Sequence, residues 1–265
     1  MVYAVVVIYN KACEMSETLN SIYKWKNDIK IVVFDNSTKE NKNREYCVRE
    51  GIQYFTENCN MGLSKAYNYV IKKLPLTADD YVIILDDDTV LNDKYIQEVK
   101  ESTKLNKDVL LPVVRCGSEI LSPNNIKYKC GSKTVKSVDE LNLDYMSAIN
   151  SGMVVSSRVY KKISYNEGLF LDCVDHDFMR MVREQKFSTY ILKHGIEQNF
   201  SRAEKPSLDS ALFRFKLFKK DFRKYCEINQ AMIYYHVSIW KFVIVYTIKY
   251  QTLQFLQLNL KNLNE

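Results

Sequence analysis

Residues 81–89 read YVIILDDDT, an apolar and largely β-branched run that ends abruptly in three aspartates and a threonine. The run does not alternate with polar residues, which suits a strand buried on both faces of a parallel sheet. Three adjacent carboxylates, Asp86, Asp87 and Asp88, repel one another, and holding them at a strand end is costly unless a cation neutralises them. A hard divalent ion that also binds phosphate oxygens is one explanation. An acidic turn ahead of a helix starting near Asn92 is the other.

Upstream lie three comparable runs, residues 2–9 (VYAVVVIY), 31–34 (IVVF) and 52–56 (IQYFT), each followed by polar residues. Segments with helical spacing separate them, such as Met15, Leu19, Ile22 and Tyr23, then Leu63, Ala66, Tyr67, Val70 and Ile71. Alternation of this kind predicts a doubly wound α/β half over 1–110, with polar residues gathered at one crevice beyond the strand ends. Downstream, VLLPVV (109–114), IKYKC (126–130) and GMVVSS (152–157) read as strands, 172–185 as a helix and 187–192 as a strand. Beyond Pro206 the composition shifts to two long, basic, aromatic helical segments, 208–225 and 227–260. The expected division is a domain over 1–206 and a helical C-terminal segment over 207–265.

Several residues in this frame are suited to chemistry. Asp35 ends the second strand in VVFDNS, where it could meet a nucleoside or cap a turn with Asn36 and Ser37. A nicotinamide fold would need a G-x-G-x-x-G turn after the first strand, and IYNKACEM has no glycine. Asn60 and Gly62 precede a helix carrying Asn68, so that backbone and helix N-terminus could approach an anion, although a plain loop glycine explains the pattern equally. In FLDCVDHDF, Asp172 reads as an N-cap. Asp175 lies on the face opposite Val174 and Phe178, best placed as a general base, and Asp177 points elsewhere. All three acids would also favour a helix N-terminus through its dipole. His194 follows the strand STYILK and could complete a metal shell with Asp88, with Gln198 a rival in the same region.

Composition narrows the classes further. The 265 residues are 46% apolar and 26% charged, ordinary globular fractions, and only seven glycines and four prolines are present. Seven cysteines form no C-x-x-C pair and are odd in number, against a zinc ribbon or a disulfide framework. Scattered thiols and a first apolar run too short for a secretory signal predict a cytoplasmic protein. The net charge of +6 is concentrated: 1–206 hold 29 basic and 28 acidic residues, whereas 207–265 hold nine and four. Nucleic-acid binding is disfavoured, because no basic and aromatic stripe lies on the α/β part.

The order VVVIYN, VVFDNS, NMGLSKAYN, YVIILDDDT, NSGMVVSSRVYKKI and FLDCVDHDF resembles the family 2 glycosyltransferases over about residues 1–200, and within them bacterial rhamnosyltransferases of surface polysaccharide assembly. The resemblance implies a GT-A fold, a Rossmann-like, mostly parallel mixed sheet flanked by helices. It implies an inverting transferase that moves rhamnose or another hexose from a dTDP- or UDP-linked donor to a glycan or lipid-linked glycan. Carried over by position, Asp35 would contact the pyrimidine base, Asp86 and Asp88 would form a D-x-D element with Asp88 holding Mg2+ or Mn2+ on the diphosphate, and Asp175 would be the catalytic base; Asn60, Gly62, Asn68, Asp86 and Asp87 are the further candidates for binding the nucleotide sugar. Two positions depart from the family pattern: Val174 stands where an acid often precedes the base, and Met181 where an arginine follows it, with Arg180 and Arg183 nearby.

Two rivals have support in the same residues. Asp86-Asp87-Asp88-Thr89-Val90 also fits the opening of haloacid-dehalogenase-type phosphatases, with Asp86 as nucleophile, though 85 residues precede it and no later GD-x-x-x-D follows. A non-catalytic sugar-nucleotide-binding subunit would draw on Val174 and Met181. In the tail, Leu212, Phe215, Phe218, Phe222 and Tyr225 alternate with six basic residues, as in a helix lying on an anionic membrane. The stretch AMIYYHVSIWKFVIVYTI carries His236 and Lys241, which argues for an interfacial or packed helix over a spanning one. Packing on the catalytic domain or in a homodimer is the alternative use of both helices.

Overall fold

The computed structural model describes residues 1–198 and 206–261. The first half alternates β1 (Val2–Ile8), α1 (Glu17–Ile22), β2 (Lys30–Asp35), α2 (Asn43–Glu50), β3 (Gln53–Thr56), α3 (Leu63–Lys73), β4 (Tyr81–Asp86), α4 (Asp93–Ser102) and β5 (Val109–Leu111). Short strands β6 (Val114–Cys116), β7 (Glu119–Ser122), β8 (Asn124–Lys127), β9 (Gly131–Lys133) and β10 (Met146–Ser147) form two minor sheets, one of them completed by β13 (Ile196–Glu197). The remainder comprises β11 (Met153–Ser156), α5 (Ser157–Tyr160), α6 (Val174–Glu184), β12 (Thr189–Ile191), α7 (Leu208–Ile228), α8 (Met232–Tyr250) and α9 (Gln254–Lys261).

The main sheet has seven strands in the order β12-β5-β11-β4-β1-β2-β3. All are parallel except β11, which runs against both β4 and β5. Both faces are covered, which accounts for strands without alternation. Val5, Val7, Phe34 and Ile84 belong to one core with α3 and α6, and Val6, Ile8, Val33 and Leu85 to a second with α1 and α4. The chain places β2 and β3 on one side of β1 and β4 on the other, so the strand order reverses between β1 and β4. Pairing sets Val7 beside Asp86 and Ile8 beside Asp35, which aligns the acidic strand ends at that reversal.

Local chemistry divides some expected elements. VLLPVV is two strands, because Pro112 offers no N–H to the ladder. IKYKC ends at Lys127, where Tyr128 and Lys129 take positive φ (49° and 65°) and turn the chain into β9. The last long segment is two helices, broken at Gln251 in the left-handed region (φ 52°). The tail shares the first core: Phe215, Phe222 and Tyr225 of α7, Tyr235, Ile239 and Val243 of α8 and Phe255 of α9 are buried in the same cluster as Val7 and Phe178. The alternating aromatics of α7 are thus spent largely on packing.

Candidate active site

A cavity of about 460 Å3 opens at the carboxyl ends of β1 and β4. Asn60, Gly62, Asp86, Asp87 and Asp88 line it, together with Asn36, Gln198 and Arg214. The aspartate loop is tied down from the first helix. Thr18 Oγ1 donates to the Asp86 carbonyl (2.5 Å) and accepts from the Thr89 N–H (2.8 Å), while Ser16 Oγ donates to the Asp87 carbonyl (2.8 Å). The three carboxylates then differ in their surroundings. Asp87 is paired with Lys11 Nζ at 2.5 Å. Asp86 accepts from Ser151 Oγ (2.8 Å), and Asp88 is exposed.

Burial pushes the Asp86 carboxyl up to about 6, opposed by the Ser151 hydroxyl and reinforced by repulsion from Asp88, Asp175 and Asp87. Asp175 therefore lies within electrostatic reach of Asp86, although it is not on the wall of the cavity. It is half-buried in the first turn of α6, where Oδ1 accepts from the His176 N–H (2.7 Å). Between these acids stands Tyr67 of α3, whose buried hydroxyl is raised by desolvation and by Asp86 and Asp175.

Other candidates stand elsewhere or in other roles. His194 does not meet Asp88: its Nδ1 is 2.9 Å from Glu98 Oε2 of α4, and its own N–H donates to the same carboxylate (2.7 Å). Gln198 occupies the cleft instead, with a buried Oε1 that has no hydrogen-bond partner among the described residues. Asn68 is turned away from the cleft, bracketing Tyr165 through its N–H (2.9 Å) and carbonyl (2.9 Å). Gly62 (φ 81°) serves a backbone approach within the protein, since a Cβ there would lie 2.6 Å from the Phe170 carbonyl. That carbonyl accepts from the Leu63 N–H (2.7 Å), so the start of α3 is capped by the chain rather than open to an anion. Asp35 is buried below the cleft, accepting from the Ser37 N–H (3.0 Å), Asn43 Nδ2 (2.9 Å) and the Tyr54 hydroxyl (3.0 Å). The neighbouring Asn36 faces the cleft and holds the glycine loop through Asn60 Oδ1 (3.0 Å) and the Met61 N–H (2.9 Å).

Asp172 is not the cap of α6, which starts at Val174 after Cys173 at φ 61°. It forms a two-pronged pair with Arg214 of α7, the second contact being 2.7 Å. Arg214 is the cationic group at this cleft that sequence reasoning did not find. Arg180 is held by Asp177 and Glu184, and Arg183 by the Met146 carbonyl. The loop carrying Asp172 is fixed by a buried acid, Asp221, which accepts the N–H groups of Phe170, Leu171 and Asp172 at 3.0, 2.7 and 2.9 Å.

Among the described residues no three carboxylate, imidazole or thiolate groups form a closed metal shell. An open site is the alternative. Asp86, unneutralised and raised, exposed Asp88 and the Gln198 oxygen, unpartnered among the described residues, are hard donors lining the same cavity. Mg2+ and Mn2+ suit such a site, with substrate phosphates completing the shell.

A doubly wound sheet with acids gathered at the reversal of strand order defines an α/β protein of the GT-A type. Residues 3–191 match the family described as Glycosyl transferase family 2, and the chain belongs to that family, a family of transferases. The fold is shared with GalNAc-T7, solved with UDP, GalNAc and Mn2+: TM-score 0.60, 15% identity, 86% of this chain and 47% of that one, so the chain spans about half that protein's length. It is shared also with glucosyl-3-phosphoglycerate synthase from Mycobacterium tuberculosis, at TM-score 0.54 and 10% identity over 86% of this chain and 80% of that one in its complex with phosphoglyceric acid. The same enzyme with Mn2+, UDP-glucose and phosphoglyceric acid gives TM-score 0.52. No curated protein sequence matches the chain significantly.

Proposed function

We propose that the protein is an inverting, divalent-metal-dependent hexosyltransferase that uses a dTDP- or UDP-linked sugar, rhamnose being the first candidate, and a hydroxyl of a glycan or lipid-linked glycan as acceptor. The observation that carries this reading is the gathering of Asp86, Asp88 and Asp175 at the end of β4, with Arg214 lining the same cleft. The Mn2+ and nucleotide sugar of the structural neighbours support it by analogy of fold.

Asp88, Asp86 and Gln198 would hold the ion, which supplies positive charge to the diphosphate when bound. Arg214, held by Asp172, adds a fixed cation to the cleft. Asp175 accepts the proton of the acceptor hydroxyl as its oxygen bonds to the anomeric carbon. The bond from that carbon to the phosphate oxygen breaks in the same step, and its electron pair leaves with the nucleoside diphosphate. One base and no covalent nucleophile make a single displacement, so the anomeric configuration inverts.

Asp175→Asn should lower turnover of purified enzyme by about 10²–10⁴-fold while leaving the thermal shift given by nucleoside diphosphate and Mn2+ unchanged. Retention of the anomeric configuration, read by NMR of the product, would overturn the displacement. Screening dTDP-rhamnose against UDP-glucose, UDP-galactose and UDP-N-acetylhexosamines identifies the donor.

A further inference from the structure

Outside the cleft the strongest concentration of charge is a groove of about 490 Å3 between α7, α8 and α9. Lys216, Lys219, Lys220, Arg223 and Lys224 line it, against a single acid among the described residues, Glu227, whose carboxylate is engaged by Arg223 at 3.0 Å. Lys219 is nine-tenths buried, and among the described residues its ammonium makes one long hydrogen bond, of 3.4 Å, to the Asn259 carbonyl. Desolvation, with Arg223 adding, holds its ammonium below the usual lysine range. A buried cation flanked by others of like sign and facing an open cavity is the arrangement a phosphate would relieve.

The adjoining surface is apolar. Ile233, Val237, Trp240, Ile244 and Ile248 of α8 fall at i, i+4, i+7, i+11 and i+15, within about 80° of one helix face. All five are exposed, Ile233 and Ile248 at 84% and 72%. Trp240 belongs to both features, standing on the edge of the groove and in the stripe. No described helix is long and apolar enough to cross a membrane. An exposed apolar stripe bordered by clustered cations, with an indole between them, matches the layered chemistry of a bilayer interface. A second copy of this chain would bring the same cations against one another, which disfavours a twofold contact through this face.

We propose that the groove of α7–α9 and the exposed stripe of α8 form one docking surface for an anionic phospholipid bilayer. A lipid phosphate enters the groove against Lys219, and the stripe lies in the acyl boundary with Trp240 at headgroup level. The surface differs from the one the sequence pattern of α7 suggested, because Phe215, Phe222 and Tyr225 are turned into the core.

Flotation of the full chain with vesicles tests it. Phosphatidylcholine vesicles containing phosphatidylglycerol should recover about tenfold more protein than phosphatidylcholine alone, and the gain should fall with added salt. Lys216→Glu with Lys220→Glu, both at exposed positions, should lower recovery about tenfold or more with the melting temperature unchanged. Ile244→Ser with Ile248→Ser should lower recovery as well. Equal recovery from the two vesicle types, or full recovery of either double variant, overturns the proposal. Abolition of flotation by millimolar inorganic diphosphate at matched ionic strength would assign the groove to a soluble anion instead. A dimeric mass by light scattering that Ile244→Ser with Ile248→Ser converts to monomer, without flotation of the parent, would assign the stripe to a second copy. None of these readouts needs sugar transfer, so their failure is separate from failure of the proposed reaction.

Discussion

Asp86 sets an opposition between stability and ion binding at a single carboxyl. Its ordinary value is 3.8 and the folded protein pushes it up to about 6, so the native state holds the proton more tightly than the unfolded chain. Stability from this group is complete below the lower value and is lost as pH rises towards the upper one. Near neutral pH the ion-free protein carries the penalty, about 1–2 kcal/mol once the partial exposure of the group is allowed for. Asp86→Asn should therefore raise the melting temperature by about 2–6 °C at about pH 7.5, have little effect at about pH 4, and abolish transfer. Equal melting of both proteins at the higher pH would show that burial does not strain this carboxylate. That the acids stand together at a strand end was readable from YVIILDDDT alone. Their unequal roles were not, since Lys11, 76 residues from Asp87, and Ser151, 65 residues from Asp86, decide which carboxylate is neutralised.

Among the elements, α7 carries most of what sequence reasoning overlooked. Arg214 sits in a helix full of cations and has no local mark that separates it from Lys216 or Arg223. Its role comes from Asp172, 42 residues away. Asn68 and Gly62 both contact the chain segment 165–170, Gly62 while also lining the cavity; a polar residue and a glycine at a helix start look alike whether the partner is a ligand or the chain. Asp221 is the anchor of this arrangement. Asp221→Asn removes one acceptor from three part-buried N–H groups and should cost about 1–3 kcal/mol, seen as a lower denaturation midpoint. Transfer should fall with it, because the Asp172 loop moves. Arg214→Ala, at a half-exposed position, should leave the midpoint within about 0.5 kcal/mol and raise the donor KM about tenfold or more. An unchanged KM would remove Arg214 from the diphosphate site.

The molecule as a whole is more unified than its charge distribution implies. The near-neutral 1–206 and the cationic 207–265 look like separate parts on paper, yet Phe215, Phe222, Tyr225, Tyr235 and Phe255 fill the core that Phe178 and Val7 share. Each such side chain contributes about 1.5–3 kcal/mol by its burial. A chain ending at residue 206 should accordingly lose cooperative melting and bind a hydrophobic dye, where a free-standing domain would melt sharply and retain turnover. Periodicity showed that the tail is helical. It could not show which aromatic faces the sheet and which faces solvent, because both faces of α7 and α8 carry aromatics.

Arg214 and Asp221 lie on one side of α7, Lys219 and Arg223 on the other, roughly 180° apart by the helical repeat. The helix is thus a party wall, with the candidate cleft on one side and the basic groove on the other. Its thickness, about 10 Å with side chains, is the offset between the two compartments. If the groove rests on a bilayer, a lipid-borne acceptor arrives over the edge of that wall, and a sugar too close to its lipid stays on the wrong side of it.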